Sequence, residues 1–263
     1  MTDMKFEQRA AKQPEQRQLL EKIFSRRYLG NSKNFEKVVR SKLVPIVRDF
    51  LLQGEDVEDK DLLKEAVLQH IGIIKTSEDL QFFGSISINL NDTILDFKNF
   101  IYGSSMNTNM IKKFRVNSIN LKKLITIENK ATYLAYISKM PKDELVVYLG
   151  GFYSSVKRLF LEKIYNYIIM MNLPVKFYHW GDIDFGGFCI FEKLQSQVIK
   201  ELQPLNMDID TLINHLQYCD EIDIDYSNKL KKLLEKDEYF MFYDLINFMI
   251  HKGIKLEQEA FMF

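Results

Sequence analysis

The stretch from Val175 to Leu194 constrains the fold of this chain more than any other. It reads VKFYHWGDIDFGGFCIFEKL, with a β-forming run before two aspartates and two glycines. Apolar residues from Phe188 onward recur at three- and four-residue steps, which predicts a helix. Asp182 and Asp184 are two positions apart, so an extended backbone turns both carboxylates to one side. The sequence thus predicts two acids between a strand and a helix, where open α/β sheets bind ligands.

Asp182 and Asp184 are candidate ligands of a divalent cation. Paired carboxylates with no Lys or Arg beside them repel each other unless a cation lies between them. Oxygen ligands of this kind suit Mg²⁺ or Mn²⁺. The alternative is an ordinary acidic turn in which Asp184 caps the following helix.

The chain has two further D-x-D pairs, Asp208/Asp210 and Asp223/Asp225. Neither follows a predicted buried strand or precedes a double glycine. The acidic segment that contains both pairs is either a second metal site or a solvated loop.

Strands and helices alternate from Leu121 onward. Strands are predicted at 124–127 and 144–149, and each is followed by a segment of helical periodicity. This alternation predicts a parallel, doubly wound sheet with right-handed crossovers. Glu128 ends the first of these strands, and neighbouring parallel strands end side by side. Glu128, Asp182 and Asp184 can therefore converge on one metal site.

The N-terminal half is predicted to be helical, with helices over 14–29, from Ser32 onward and over 58–71. Alternating apolar residues at 80–90 then predict a short hairpin. Three helices and a hairpin fit a winged-helix module, although many helical caps share this pattern. We therefore expect a helix-rich, winged-helix-like DNA-binding domain over residues 1–118 and a catalytic domain over 119–263.

Basic residues are concentrated in the N-terminal helices. Between Lys22 and Arg48 there are eight of them and one acid, Glu36. Lys33, Lys37 and Arg40 belong to this stretch, which is a candidate phosphate-binding face. The alternative is a solvated surface.

Composition limits the class of protein. With 263 residues, 46% hydrophobic and 27% charged, the chain is long enough for real cores and typical of a soluble globular protein. Its formal net charge is zero, so nucleic-acid binding has to come from local patches. Two cysteines, polar first residues and no apolar run of spanning length favour a cytoplasmic protein.

Four segments occur in an order that resembles one family: ITIENKATY (125–133), VVYLGGFYSSVKRLFL (146–161), HWGDIDFGGFCIFEKL (179–194) and LEQE (256–259). Together they resemble the Toprim domain of the JetD family. That family supplies the nuclease subunit of Wadjet systems, condensin-like complexes that act against plasmids, and is related to the A subunit of topoisomerase VI. SRRYLGNSKNFEK (25–37) and LQFFGSISI (80–88) extend the similarity weakly into the N-terminal half.

The resemblance implies that Glu128 is the Toprim glutamate and that Asp182 and Asp184 are its D-x-D pair, all three catalytic and metal-binding. It implies a DNA endonuclease that depends on Mg²⁺ or Mn²⁺ and hydrolyses phosphodiesters in a nucleoid-associated defence complex. Lys157 and Arg158 follow two glycines and are candidate phosphate contacts, with plain surface charge as the alternative.

The partners that the resemblance implies are double-stranded DNA and a condensin-like SMC ATPase with its kleisin and accessory subunits; we also expect a homodimer. Topoisomerase VI uses a tyrosine nucleophile, but Tyr28 and Tyr102 are candidates by location only. Water is therefore the expected nucleophile. The chain is also short for the family, which implies a missing or reduced N-terminal arm.

Two other functions fit the same residues. One is a non-catalytic subunit whose Toprim fold clamps DNA or serves assembly. The other is a phosphatase with Asp182 as a covalent nucleophile, a chemistry that normally also needs a lysine and further acids.

Overall fold

A computed structural model of the chain describes residues 19–51, 68, 71–74 and 79–262. The chain divides into two compact units, Met1–Ser77 and Glu78–Phe263. Most of the helix predicted over 58–71 lies outside the described residues. Within the described part of the chain, no helix combines the length and the apolar character needed to span a membrane.

Short elements surround Phe35 in the N-terminal unit. They are β1 (Leu19–Leu20), α1 (Glu21–Leu29), a π-helical turn (Phe35–Val39), α2 (Arg40–Leu51) and β2 (Ile73–Ile74). Leu19 and Leu20 pair in parallel with β2, so among the described residues the helix predicted over 14–29 begins only at Glu21. Ser32 does not begin the second helix as predicted. The π-helical turn instead follows Asn34, whose side chain donates a hydrogen bond to the Leu29 carbonyl (2.9 Å).

Sheets and helices alternate in the C-terminal unit. Its strands are β3 (Asp79–Phe83), β4 (Ile86–Leu90), β5 (Thr93–Asp96), β6 (Ser104–Asn107), β7 (Arg115–Ile119), β8 (Lys123–Ile127), β9 (Glu144–Tyr148), β10 (Lys176–Trp180), β11 (Gln203–Pro204), β12 (Asp220–Glu221) and β13 (Ile254–Lys255). Its α-helices are α3 (Thr108–Lys113), α4 (Lys130–Ser138), α5 (Ser155–Met170), α6 (Phe185–Gln197), α7 (Ile209–Asn214), α8 (Ile224–Leu233) and α9 (Tyr243–Lys252). A 3₁₀ turn at Gln258–Met262 follows β13.

A six-stranded sheet in the order β11-β10-β8-β9-β3-β6 organises this unit. The neighbours from β11 to β9 are parallel, whereas β3 is antiparallel to both β9 and β6. Helices α4, α5 and α6 connect the parallel strands. The chain is therefore an α/β protein with a mixed, mostly parallel sheet flanked by helices, which confirms the predicted Toprim-like class.

The predicted hairpin at 80–90 is wrong, because β3 and β4 belong to different sheets. While β3 joins the main sheet, β4 pairs with β5 and β7 in a three-stranded antiparallel sheet. Gly84, at φ +133°, separates them, and a Cβ there would lie 2.3 Å from the carbonyl oxygen of Glu144. The close approach of β9 thus redirects the chain after β3.

The main sheet takes strands from both sides of the boundary predicted between residues 118 and 119. The compact units divide earlier, between Ser77 and Glu78. The winged-helix character of the N-terminal part stays a prediction.

The central strands β8 and β9 are buried, which explains their continuous apolar sequences KLITI and ELVVY. On one side of the sheet, α5 and α6 contribute the fully buried Phe160, Phe188 and Phe191 to the largest hydrophobic cluster. On the other side, Tyr133 and Ile137 of α4 pack with Ile125 and Ile127 of β8. Both faces of the sheet are thus covered, and its functional groups emerge at the strand ends.

Candidate metal centre

The parallel pairing of β8 with β10 brings two of the predicted acids to one edge of the sheet. Ile127 lies opposite Trp180, the last residue of β10. One step beyond, the amide of Glu128 donates to the Trp180 carbonyl (3.0 Å). The Asp182 amide in turn donates to Oε2 of Glu128 (3.3 Å). Residues that are distant in sequence therefore meet because the two strands end at the same level.

Asp184 caps helix α6. Its Oδ1 accepts a hydrogen bond from the Gly187 amide (2.7 Å). The double glycine after it has one strict requirement: a Cβ at Gly187 would lie 2.1 Å from the Asp182 carbonyl oxygen. At Gly186 the nearest atom would be Asp184 Oδ1, at 3.4 Å. The capping role considered from the sequence is therefore present in the fold, and Gly187 permits the tight turn that links the two aspartates.

The three acids act on one another electrostatically. Burial raises the pKa of the Glu128 carboxyl well above its ordinary value, and the charges of Asp182 and Asp184 raise it further. Burial also raises the pKa of Asp182, followed by the charge of Asp184 and, more weakly, those of Glu259 and Glu257. Near neutral pH this cluster consequently retains protons that a bound cation would replace.

The acids do not form a ready-made set of metal ligands. Over the residues that the structure describes, no three His, Cys, Asp or Glu side chains are grouped so as to hold an ion. Glu128, Asp182 and Asp184 each direct one oxygen to a backbone amide instead. The donor chemistry fits Mg²⁺ or Mn²⁺, since all three groups are partly buried carboxylates, but their role as ligands stays a prediction.

Gln258 connects the strand ends that carry the site, a role that no local sequence pattern indicates. Its buried side chain accepts from the Asn129 amide (2.7 Å) and donates to the Trp180 carbonyl (2.7 Å). Its own backbone amide donates to Oδ1 of Asp182 (2.8 Å). The bridge between Ile183 and Leu256 places this segment against the turn. The LEQE motif therefore connects the ends of β8 and β10.

The neighbours of Gln258 add charge at the same place. Glu259 accepts from the Asn129 side chain. Lys255 lies 3.0 Å from Glu257 and 3.5 Å from Asp220, and the charge of Asp184 also acts on it. A cation of the protein itself thus lies within electrostatic reach of the pair, whereas the sequence pattern suggested carboxylates with no basic neighbour.

Lys157 and Arg158 have different surroundings. Arg158 pairs with Glu162 (2.7 Å) and donates to Gln197 (3.2 Å). Its guanidinium is therefore engaged by side chains at the surface of α5 and α6. Lys157 instead donates to the Leu149 carbonyl, beside the end of β9. Of the two predicted phosphate contacts, Lys157 is the one that lies near the strand ends that carry the acids.

The remaining predicted residues of the basic face lie in the N-terminal unit. Lys33 and Lys37 are exposed, while Arg40 lies 3.9 Å from Glu21 with its side chain only 13% exposed. Tyr28 is exposed there, and Tyr102 is 82% exposed on a turn of the C-terminal unit. DNA binding by Lys33, Lys37 and Arg40 stays a prediction.

His179 and Trp180 belong to the interior. His179 is fully buried, its Nδ1 lies 2.8 Å from the Thr126 hydroxyl, and burial lowers its pKa far below the ordinary value. A neutral ring is poorly suited to exchange protons with solvent. Trp180 is buried and packs edge-on against Tyr136.

A mostly parallel sheet with acids at the C-terminal ends of two adjacent strands defines a Toprim-like α/β protein. Residues 86–263 match the family model described as Wadjet protein JetD, C-terminal. Because this match covers more than half of the chain, the chain belongs to that family.

A curated relative supports the same assignment. Wadjet protein JetD of Bacillus cereus (strain Q1) is 28% identical to the chain over 239 residues, which are 91% of this chain and 56% of the relative. The chain therefore spans little more than half the length of that protein.

Proposed function

We propose that this chain is a nuclease subunit of a Wadjet-type defence system and that it hydrolyses DNA with Mg²⁺ or Mn²⁺ held by Glu128, Asp182 and Asp184. Membership of the JetD family supports the role in such a system. The observation that carries the catalytic part is the meeting of Glu128 with Asp182, at the ends of β8 and β10. The pKa values of Glu128 and Asp182 are raised first by burial and then by the charges of neighbouring carboxylates, and such a site favours a cation.

Each acid has a distinct place in the proposed site. Glu128 is fixed by the end of β8, Asp182 by the Gln258 amide, and Asp184 by the first turn of α6. When bound, a divalent ion supplies charge neutralisation at the scissile phosphate and at the leaving oxygen. The chain's own residues set the distance between the carboxylates and keep them in a partly buried environment. The attacking group in this proposal is water.

The proposed partners are double-stranded DNA, a condensin-like SMC ATPase, a kleisin and accessory subunits, with the chain itself as a homodimer. Because the chain spans 56% of its curated relative, these partners are proposed for the chain as part of a complex.

A non-catalytic, DNA-clamping subunit is the second candidate. The observation in its favour is that no described group of three acidic, His or Cys side chains is arranged to hold an ion. DNA binding that persists in a chelator, with no cleavage in any assembly, would support this function.

Cleavage of plasmid DNA tests the proposal. The chain, alone and with its Wadjet partners, is incubated with supercoiled plasmid and Mn²⁺ or Mg²⁺, and nicked and linear products are measured. Asp182→Asn and Glu128→Gln should abolish cleavage. Asp223→Asn is the matched control, because Asp223 caps α8 through the Tyr226 amide (2.7 Å) and asparagine also caps helices. Cleavage by Asp182→Asn at the wild-type rate would refute the site.

A further inference from the structure

The turn after β9 lies beside Glu128. The Leu149 amide donates to the Ile127 carbonyl (2.8 Å), and the Gly150 amide donates to the Glu128 carbonyl (3.0 Å). Tyr148, the last residue of β9, is near enough for the charge of Glu128 to act on its hydroxyl. Groups around this turn consequently adjoin the acidic site along the same edge of the sheet.

Two lysines from different helices lie over the ring of Tyr148. The Lys130 ammonium, at the start of α4, is 4.8 Å from the ring centre and 5.2 Å from that of Tyr133. The Lys157 ammonium, in the first turn of α5, is 5.3 Å from the ring centre of Tyr148. Both side chains are partly exposed. Two like charges at one ring repel each other, and an anion between them would remove this cost.

No described carboxylate lies within ion-pair distance of Lys130, whose ammonium lies over the two tyrosine rings. This distinguishes it from Lys122, Lys123 and Lys255, which pair with acids. The charge of Lys130 is therefore not matched by a side chain of the described structure.

Gly150 lies directly against Tyr148 and Lys157, where a larger residue would not fit without a shift. Its φ is +69°, and a Cβ there would lie 2.9 Å from the Tyr148 hydroxyl and 3.5 Å from the Lys157 ammonium. Because Gly150 has no side chain, the hydroxyl and the ammonium can both lie close to the backbone of this turn. A hydroxyl donor and two ammonium groups suit an oxyanion and not a metal ion.

We propose that Lys130, Lys157 and the hydroxyl of Tyr148 bind a backbone phosphate of DNA next to the phosphate that is cut. The inference rests on the proposed function, because it takes DNA as the substrate. It assigns a role to Lys130 and Tyr148 that the sequence did not indicate, and it leaves Arg158 out of the site.

DNA binding without cleavage tests this site. A short fluorescent DNA duplex is titrated with the chain in EDTA at several salt concentrations, and affinity is measured by anisotropy. Lys130→Ala and Lys157→Ala should each weaken binding and lower the slope of log affinity against log salt by about one. Lys130→Arg should restore most of the binding, and Tyr148→Phe should weaken it while leaving the slope unchanged.

Lys139→Ala is the matched control, since Lys139 is exposed at the opposite end of α4. Equal affinity and equal salt slope in wild type, Lys130→Ala and Lys157→Ala would overturn the subsite alone. Absence of duplex binding by the wild type would overturn the proposed function as well. Thermal unfolding of each variant identifies any weakening that comes from loss of fold. If Lys130→Ala is unfolded, the affinity of Lys130→Arg tests the subsite instead, because arginine keeps the positive charge.

Titration with inorganic phosphate tests whether the site binds a DNA backbone phosphate or a small free anion. Titration with phosphate alone should give no saturation at concentrations where the duplex saturates. Tight binding of inorganic phosphate that is lost in Lys130→Ala would instead assign a small anionic ligand and overturn the proposal.

Discussion

The backbone amide of Gln258 donates a hydrogen bond to Oδ1 of Asp182 over 2.8 Å. The side chain of the same residue joins Asn129 to Trp180. One residue thus connects the strand end that carries Glu128 with the turn that carries the aspartates. The position of Asp182 relative to Glu128 depends on this connection.

Gln258→Ala should therefore lower both stability and the affinity for Mn²⁺. It leaves the backbone amide of Asn129 without its acceptor and removes one of the two hydrogen bonds that the Trp180 carbonyl accepts, which costs about 1–3 kcal/mol. Unfolding in urea measures the first effect and calorimetric titration with Mn²⁺ the second. Gln195→Ala is the control, because Gln195 makes one side-chain bond, to the Leu202 carbonyl (2.9 Å), in another part of the unit. Wild-type Mn²⁺ affinity in folded Gln258→Ala would contradict the positioning role.

Adjacent glycines should respond in opposite ways to alanine. Gly187→Ala forces a Cβ against the Asp182 carbonyl oxygen, at 2.1 Å, and should destabilise the chain by about 1–3 kcal/mol. Gly186→Ala meets no backbone atom and should stabilise α6 by up to about 1 kcal/mol. The free energy of unfolding of the two variants is the measurement. Equal effects would show that the turn relaxes around either side chain.

The stability of the metal-free chain should fall as pH rises. The pKa of Glu128 is raised in the fold by burial and by Asp182 and Asp184, so the folded state binds a proton more tightly than the unfolded state. That contribution is complete below the ordinary glutamate pKa of about 4. It is lost as pH rises toward the raised value.

Urea unfolding in EDTA across this pH range measures the slope, which Glu128→Gln should reduce. Glu162→Gln, on α5, should leave it unchanged. Addition of Mg²⁺ or Mn²⁺ should stabilise the chain more at higher pH, because the cation competes with protons for the acids. A slope in Glu128→Gln identical to that of wild type would contradict this account.

Lys163→Met should destabilise the C-terminal unit without affecting DNA or metal binding. The ammonium of Lys163 donates to the carbonyls of Ile111, Lys112 and Phe114 at 2.7, 3.0 and 2.8 Å. Lys163, which belongs to α5, thereby provides a hydrogen-bond donor for the carbonyl groups at the C-terminal end of α3. Loss of these hydrogen bonds should cost about 1–3 kcal/mol. Lys200→Met, at an exposed position, is the control. Equal unfolding midpoints of the two variants would contradict this role.

The sequence was sufficient for the parallel part of the sheet and for the local place of the acids. Predicted strands at 124–127 and 144–149 agree with β8 and β9, since fully buried parallel strands have continuous apolar sequences. The helix after the aspartates begins at Phe185, three residues before the periodicity is visible, because the glycines carry no apolar signal.

Features that depend on distant pairing were not predictable from local patterns. The sequence at 80–90 alternates like a hairpin, yet Gly84 and the approach of Glu144 separate its two strands. The hydrogen bonds of the Gln258 side chain likewise have no local sequence signature, because its partners, Asn129 and Trp180, are 129 and 78 positions away. The sequence around Lys130 likewise contains no pattern that indicates a phosphate-binding role.

The span of 76 positions between Asp182 and Gln258 has a consequence for the order of events during synthesis. A nascent chain that has reached α6 already contains Glu128 and both aspartates, but not the amide that fixes Asp182. We expect such a growing chain to carry the acids in an unfixed arrangement. The proposed metal-binding arrangement would then form only after the residues around Gln258 have left the ribosome and packed against the turn that carries Asp182.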